Sequence, residues 1–110
     1  MKHLLPAFLA VVDEDPEAAL AFHDINPWAP VHFLMIPKDH IESLVFVTEQ
    51  DSALLGKMLV LAPRLAAQEG LRMESEGGFR VLINNGKEGG QEVFHLHMHV
   101  MGGPRPWKRG

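Results

Sequence analysis

The sequence contains no cysteine, and this absence excludes several kinds of chemistry at once. The chain cannot form a disulfide, a thiolate nucleophile or a zinc site ligated by cysteine. Long apolar runs are also absent. Residues 1–12 resemble the start of a signal peptide, but Pro6 interrupts them and three acidic residues follow. No run approaches the ~20 residues that a membrane span requires. We therefore expect a cytoplasmic protein with no membrane partner.

Positive charge is scarce as well, with 10 Lys and Arg against 14 Asp and Glu and a net charge of -4. A surface that coats nucleic acid is normally basic, so we expect no nucleic-acid partner. The acidic balance does not exclude a small anionic substrate, because one pocket can be locally positive on an acidic protein.

The length of 110 residues predicts a single domain spanning residues 1–110. Hydrophobic residues make up 46% and charged residues 22%, which is the profile of an ordinary soluble globular protein. A core of this size is modest, so a partner subunit would help to stabilise it.

One helix and about five strands are predicted. The helix spans residues 48–69, with Thr48 as its N-cap, a kink at Pro63 and a stop at Gly70. The strands are predicted at residues 9–12, 18–23, 31–36, 79–84 and 94–101. Residues 41–47 are ambiguous between a helical turn and a strand. This order favours an α+β domain with an antiparallel sheet and the long helix packed on one face.

Three of the seven histidines alternate along the last predicted strand. Alternate side chains of a strand share one face, so His95, His97 and His99 are predicted to point the same way. The opposite face is predicted to enter the core and consists of Phe94, Leu96, Met98 and Val100. An ordinary solvent-exposed face would more commonly carry Ser, Thr, Lys or Glu.

Two chemical interpretations of this strand remain open. A zinc ion lies ~2.1 Å from each ligand nitrogen, whereas the outer histidines have Cα atoms ~13 Å apart on a strand. An ion could therefore take two neighbouring imidazoles and a carboxylate such as Glu92. Alternatively, a neutral imidazole is a good nucleophile towards phosphorus, and its neighbours can stabilise phosphate oxygens. The Gly-rich loop at residues 84–91 favours the second interpretation, because glycines let backbone amides approach an anion.

Residues 95–100, HLHMHV, resemble the signature of the histidine-triad (HIT) superfamily. The resemblance extends to residues 21–41 and to the loop at residues 84–90. The pair Gly102-Gly103 and the late Trp107 are similar to the tail of the HINT branch, the nucleotide-binding purine phosphoramidases. In total the resemblance covers about residues 5–107.

The resemblance implies a catalytic role for each histidine of the motif. His97 attacks the α-phosphorus and forms a nucleotidyl-histidine intermediate. His95 and His99 flank it, and His32 supports them from the neighbouring strand. The implied reaction is the hydrolysis of the P–N bond in purine nucleoside 5'-phosphoramidates, with no metal or other cofactor.

The resemblance also implies the binding residues and the assembly. Asp24 holds the ribose hydroxyls, as expected of a carboxylate that accepts O–H donors. The other implied substrate-binding residues are His23, Ile25, Asn84, Gly90, Gln91 and Trp107. The family forms a two-fold homodimer whose sheets are continuous across the interface, and its product is a nucleotide such as AMP or GMP.

Simpler structural roles remain open for several of these residues. His23 and Asp24 could cap a loop, His32 could be a hydrogen-bonded core histidine, and Asn84 could be only a turn residue. Trp107 could pack in the core.

One residue departs from the HINT pattern, because Glu92 stands where that branch usually has serine. A carboxylate at this position could act as a general acid, or its charge could select cationic leaving groups. Two other functions also remain open: a nucleotide-binding protein with little turnover, and a dinucleoside-polyphosphate hydrolase.

Overall fold

The computed structural model of the protein describes residues 8–11 and 19–108, with side chains from residue 19 onwards. The elements are β1 (Phe8–Val11), β2 (Ala19–His23), β3 (Val31–Pro37), α1 (Ser52–Gln68), β4 (Phe79–Leu82) and β5 (Met98–Gly102). The strands form one five-stranded sheet in the order β1-β2-β3-β5-β4, and every pairing is antiparallel. The predicted α+β fold is confirmed. Residues 12 and 18, the ends of two predicted strands, lie outside the described residues.

The helix begins a few residues later than predicted, because Thr48 caps a short 3-10 turn at Glu49–Asp51 that leads into α1. The Thr48 hydroxyl accepts from the Gln50 amide at 3.2 Å, and the Asp51 carboxylate accepts from the Thr48 amide at 2.9 Å. This reciprocal arrangement is a capping box. The helix continues through Pro63 to Gln68. None of the described helices is long and apolar enough to cross a membrane.

The core lies between α1 and one face of the sheet. Small side chains on β2, Ala19 and Ala21, are fully buried there and let the helix approach closely. The helix contributes its buried stripe, and β3 and β5 contribute the larger apolar side chains: Met58, Ala62, Leu65, Ala66, Phe33, Met35, Met98 and Val100. Because side chains alternate along a strand, the residues between these point to the opposite face. That opposite face carries the candidate site.

The last strand is shorter at its start than predicted, and this corrects the interpretation of the triad. β5 begins at Met98, so His95 and His97 precede it and only His99 lies within the ladder. The partner strand β3 ends at Pro37, which has no amide hydrogen to extend the pairing.

The segment before β5 is held by other contacts. The amide of Leu96 donates to the carbonyl of Ile41 at 2.6 Å instead of joining the sheet. Leu96 is nevertheless buried, as predicted, whereas Phe94 is 48% exposed, so the prediction that Phe94 enters the core is wrong.

The ambiguous segment at residues 41–47 is a loop that contains a 3-10 turn at Leu44–Phe46. The Ser43 hydroxyl caps this turn by accepting from the Val45 amide at 3.2 Å. Asn85 ties it to the loop after β4, because its side-chain oxygen accepts from the Leu44 amide at 2.8 Å. These contacts bring residues 41–47 beside the Gly-rich loop.

Candidate active site

His97 is held by the backbone of the triad itself. Its Nδ1 lies 2.6 Å from the carbonyl oxygen of His95. A carbonyl oxygen only accepts, so Nδ1 carries the ring hydrogen and, in the neutral imidazole, Nε2 carries the free lone pair. The side chain is only partly buried. His97 is therefore fixed in the tautomer that a nucleophile attacking through Nε2 requires.

His32 and His99 meet across neighbouring strands. His32 pairs with Met101 and His99 pairs with Leu34, so the two histidines are diagonal neighbours on the face away from α1. Nε2 of His32 lies 2.9 Å from Nδ1 of His99. The ring centres of His97 and His99 are 4.9 Å apart, which joins the pair to the candidate nucleophile.

The tautomers of this pair follow from one backbone amide. The Trp28 amide lies 3.0 Å from Nδ1 of His32, and an amide can only donate. Nδ1 of neutral His32 is therefore the acceptor, and its Nε2–H donates to Nδ1 of His99. In neutral His99 the hydrogen then resides on Nε2. Each ring fixes the hydrogen position of the next.

Burial keeps both imidazoles neutral. His32 is 2% exposed and His99 is 4% exposed. Loss of water lowers the pKa of His99 to about 4, with His97 and His32 adding to the effect and the Asp24 carboxylate opposing it. Burial also lowers the pKa of His32, again against the attraction of Asp24. Both rings are therefore neutral near pH 7.

One donor in this cluster is unsatisfied. Nε2 of His99 is buried and has no hydrogen-bond partner among the residues that the structure describes. Buried polar groups in proteins are nearly always paired, so an orphaned N–H marks a place for an acceptor from a ligand. A phosphate oxygen is an acceptor of the required kind.

Trp28 is a site residue that the sequence analysis missed. Its indole stacks on the His99 ring with the ring centres 4.8 Å apart and the planes inclined by 19°. It also contacts the His32 ring at 5.1 Å. In the sequence, the feature that could have indicated this position is a large aromatic side chain in a polar loop bounded by prolines, directly before the strand that carries His32.

His95 plays a different part from the other two triad histidines. Its Nε2 lies 2.9 Å from the carbonyl oxygen of Pro37, and its ring stands edge-on to His40 at 5.1 Å. A carbonyl only accepts, so Nε2 is the donor. The side chain of His95 thereby ties the segment before β5 to the end of β3.

Asp24 lies beside the buried pair, at the turn that follows β2. One carboxylate oxygen accepts from the Asn26 amide at 2.7 Å, which closes the turn locally. The other lies 3.6 Å from Nε2 of His32. Ile25, the next residue, is 58% exposed. The predicted roles of Asp24 and Ile25 in nucleoside binding stay predictions.

His23 lies apart from this cluster. It pairs with the core residue Phe33 and so points to the helix side of the sheet, opposite to His32. There its Nε2 lies 2.5 Å from a carboxylate oxygen of Glu69, just beyond the end of α1. The structure thus places the His23 side chain at the contact between the helix and the sheet, and its predicted role in nucleoside binding stays a prediction.

The side chain of Gln91 is buried and links three backbone groups in and around the Gly-rich loop. Its side-chain oxygen accepts from the Gly86 amide at 2.8 Å, and its side-chain nitrogen donates to the carbonyls of Glu42 at 2.6 Å and Val93 at 3.0 Å. The side chain is 4% exposed in this closed network. In this structure the Gln91 side chain shapes the loop, and its predicted contact with substrate stays a prediction.

The backbone amides of the loop are largely used within it. Those of Gly89, Gly90 and Gln91 donate to carbonyls of the same loop, at 3.0–3.1 Å. The expected cradle of free glycine amides is therefore not formed by these three residues. Asn84 differs, because its partly buried side chain makes no hydrogen bond to the described part of the chain and faces the close backbone of Gly90.

Glu92 and Trp107 lie outside the histidine cluster. Glu92 is exposed on the segment between Gln91 and the triad.

The indole nitrogen of Trp107 donates to the Gly103 carbonyl at 3.0 Å. The guanidinium carbons of Arg105 and Arg80 lie 4.5 and 5.0 Å from the ring centre of Trp107. Trp107 therefore packs against the tail and β4 of its own chain.

Asp24, His32 and His99 are close enough to be considered as metal ligands, since one donor atom from each lies within 4.8 Å of the others. A neutral imidazole has one lone pair, and that of His32 already accepts from the Trp28 amide. Nε2 of His32 therefore carries a hydrogen where a ligand would need a lone pair. The hydrogen-bond pattern favours a histidine pair over a metal site.

Comparison with known proteins agrees with this geometry. The sequence profile of the HIT domain matches residues 8–105. The chain belongs to the HIT family. It is 52% identical over 93 residues to Protein HitA of Neisseria gonorrhoeae, covering 84% of this chain and 82% of that protein. An uncharacterised HIT-like protein of Synechocystis is 49% identical over 102 residues, covering 92% and 85% of the two chains.

Solved HIT structures share the fold as well. A histidine triad protein from Clostridium difficile superposes with a TM-score of 0.79 at 34% identity, covering 93% of this chain and 83% of that one. A HIT family hydrolase from Legionella pneumophila gives 0.78 at 43% identity, covering 94% and 88%. The predicted membership of the HIT superfamily is confirmed, and these neighbours support a hydrolase function.

The structure brings four of the predicted site residues together in one centre. His97, His99, His32 and Asp24 are joined by direct contacts on one face of the sheet. The side chain of His95 instead holds the adjoining backbone at Pro37. This HIT chain therefore has one candidate nucleophile supported by a buried, neutral pair.

Proposed function

We propose that the chain hydrolyses the P–N bond of purine nucleoside 5'-phosphoramidates, with His97 as the nucleophile. The observation that carries this proposal is the contact of 2.6 Å between His97 Nδ1 and the His95 carbonyl, which leaves Nε2 free to attack. Neutral imidazole is strongly nucleophilic towards phosphorus, and the neighbouring His99 offers a buried donor for phosphate.

The reaction has two displacements at phosphorus. Nε2 of His97 first forms a bond to the α-phosphorus while the P–N bond breaks, and the departing amine takes up a proton from solvent. The His97 ring then carries a positive charge, which the hydrogen bond from Nδ1 to the His95 carbonyl stabilises. Water next attacks phosphorus, the P–Nε2 bond breaks, and a proton returns to solvent with the nucleoside monophosphate.

His99 acts in this scheme as a fixed hydrogen-bond donor. Its Nε2–H is buried and unpaired among the described residues, and the ring is neutral. A preorganised donor in a dry site stabilises developing phosphate charge more strongly than water does. The unbonded amide of Asn84 is a second candidate donor to the phosphate.

Nucleoside binding is assigned to the turn after β2. Asp24 presents a carboxylate next to the pair, which suits acceptance of two ribose hydroxyls. Ile25 offers an exposed apolar side chain beside it, which suits a purine face. The nucleotide product is AMP-like or GMP-like.

We also propose that the protein works as a cytoplasmic homodimer. Strand β4 lies at one end of the sheet and pairs only with β5 among the described strands. An unpaired edge can accept a strand from a second copy, which would make the two sheets continuous. Trp107, on the tail beside β4, lies on the side where a second subunit would approach.

A substrate panel with adduct trapping tests this function. We expect turnover of purine nucleoside phosphoramidates, and mass spectrometry of the acid-quenched enzyme should place the nucleotidyl group on His97. His97→Ala should abolish turnover and retain nucleotide binding. His40→Ala, at an exposed histidine, should retain both turnover and binding. Binding without turnover of any phosphoramidate would contradict the proposal, as would exclusive turnover of dinucleoside polyphosphates.

A further inference from the structure

Trp28 touches both members of the buried histidine pair, through different parts of the residue. Its backbone amide donates to Nδ1 of His32 at 3.0 Å. Its indole lies nearly parallel to the His99 ring, at 4.8 Å and 19°. A substitution of the side chain removes the indole contacts, both the stacking on His99 and the tilted contact with the His32 ring, whereas every residue except proline keeps the amide. The two contributions can therefore be separated by mutation.

We propose that Trp28 is a positioning residue, whose indole holds the His99 ring so that Nε2–H faces the substrate phosphate. This inference rests on the proposed function, because it assigns His99 as the donor to phosphate. It adds a residue outside the histidine signature, in the loop between β2 and β3.

The need for such a residue follows from the shape of imidazole. A rotation of His99 by half a turn about its ring torsion exchanges Nδ1 with a carbon, and terminal torsions of this kind are broad. The only hydrogen bond that the described residues give the ring is the one from His32. A parallel ring in van der Waals contact opposes this rotation, because the turning imidazole would collide with the indole.

The surrounding rings show why Trp28 is the residue in question. His97 and His32 contact His99 at 4.9 and 5.2 Å, but their planes are inclined by 56° and 38°. Trp28 is the nearest to parallel and has the largest ring of the three. The charged or titratable groups around His99 are His97, His32 and Asp24. The indole therefore adds contact area and excludes water without adding charge.

Kinetics of three variants test the proposal. Trp28→Ala should lower kcat about 10- to 100-fold, the effect of a small misplacement of a catalytic group, with KM nearly unchanged. Trp28→Phe keeps an aromatic plane and should recover most of kcat. Phe46→Ala removes a ring that is 61% exposed and has no ring contact with His32 or His99 among the described residues, and it should behave as wild type. Unchanged kcat in Trp28→Ala would overturn the proposal, as would a loss confined to KM.

A second measurement needs no turnover and separates this inference from the proposed function. Nitrogen-15 resonances of labelled histidine report which ring nitrogen of His99 is protonated and how fast its hydrogen exchanges with water. We expect one slowly exchanging Nε2–H tautomer in the wild type and in Trp28→Phe. Trp28→Ala, confirmed as folded by circular dichroism, should show faster exchange or two ring states. An unaltered His99 signal in that variant would overturn the positioning role even if the enzyme hydrolyses phosphoramidates.

Discussion

The carbonyl oxygen of His95 lies 2.6 Å from Nδ1 of His97, so the first triad histidine orients the second through its backbone. The imidazole of His95 is engaged elsewhere, 2.9 Å from the carbonyl of Pro37. His95 therefore orients His97 without any contact between the two side chains. The backbone contact survives most substitutions at residue 95, whereas the contact with Pro37 does not.

Because His95 orients His97 through its backbone and not through its imidazole, we predict that substitutions of His95 and His97 have unequal effects. His95→Ala should keep the carbonyl that orients His97, and we expect kcat to fall less than about 10-fold, far short of the 10⁴-fold or greater losses typical of nucleophile removal. His97→Ala should leave no measurable nucleotidyl adduct. The measurement is single-turnover kinetics with adduct detection. An equally complete loss in folded His95→Ala would show that its imidazole acts in the chemistry.

The buried pair predicts a pH dependence of stability. The pKa of His99 is lowered to about 4 by burial, whereas unfolded histidine titrates near 6.5. Between these values the unfolded chain binds more protons than the folded one, so the free energy of unfolding should fall as the pH falls from 6.5 towards 4. The lowered pKa of His32 acts in the same direction.

Denaturant unfolding at pH 7 and pH 5 measures this dependence. His99→Asn removes one titrating group, so the variant should lose less stability between the two pH values than the wild type loses. His40→Asn, at an exposed position, is the matched control and should keep the wild-type difference. Equal losses in all three proteins would contradict burial of a neutral His99.

The positions of the buried pair, His32 and His99, could be predicted from the sequence because they are set by strand alternation. The role of His97 as nucleophile rests on the histidine-triad motif and stays a prediction. His32 and His99 occupy strands that do pair, on the face away from the helix. The predicted last strand was too long because the alternation of histidine and apolar residues begins before the point at which the partner strand β3 can pair with it. Pro37 ends β3, and that information lies about sixty residues away from the triad.

His23 and Trp28 differ in how far their positions could be predicted from the sequence. His23 follows Ala19 and Ala21 at a spacing of two, so its position on the helix face was available from the pattern of small buried residues. The stacking of Trp28 on His99 was not, because it depends on the path of a loop whose conformation no periodicity specifies. The contacts that loop residues make with distant parts of the chain were therefore the main feature that could not be predicted from the sequence.

The departure at Glu92 predicts a change in leaving-group selectivity. An exposed carboxylate close in sequence to the triad adds negative charge, which should favour substrates whose departing amine carries a second, positive group. Glu92→Ser should lower the ratio of kcat/KM for cationic over neutral leaving groups several-fold, about 1 kcal/mol of charge interaction near a protein surface. Glu88→Ser, an exposed carboxylate in the preceding loop, is the control. The same selectivity in the wild type and Glu92→Ser would reject this role.

Gln91 offers a test between a structural and a direct binding role for the loop before the triad. Its amide satisfies Gly86, Glu42 and Val93 together, so Gln91→Ala leaves three backbone groups without this partner. We expect the free energy of unfolding to fall by about 1–3 kcal/mol, the cost of unsatisfied buried groups. Gln50→Ala, at an exposed position, should change it by less than about 0.5 kcal/mol.

Nucleotide affinity, measured by calorimetry on the same Gln91→Ala and Gln50→Ala proteins, completes this comparison. If Gln91 only holds the loop in shape, Gln91→Ala should weaken nucleotide binding indirectly, through the disordering of Asn84 and Gly90. Added nucleotide should then restore part of the lost free energy of unfolding. If Gln91→Ala is as stable as Gln50→Ala yet no longer binds nucleotide, Gln91 contacts the substrate directly. That result would mean that the closed network around its amide opens when the nucleotide enters.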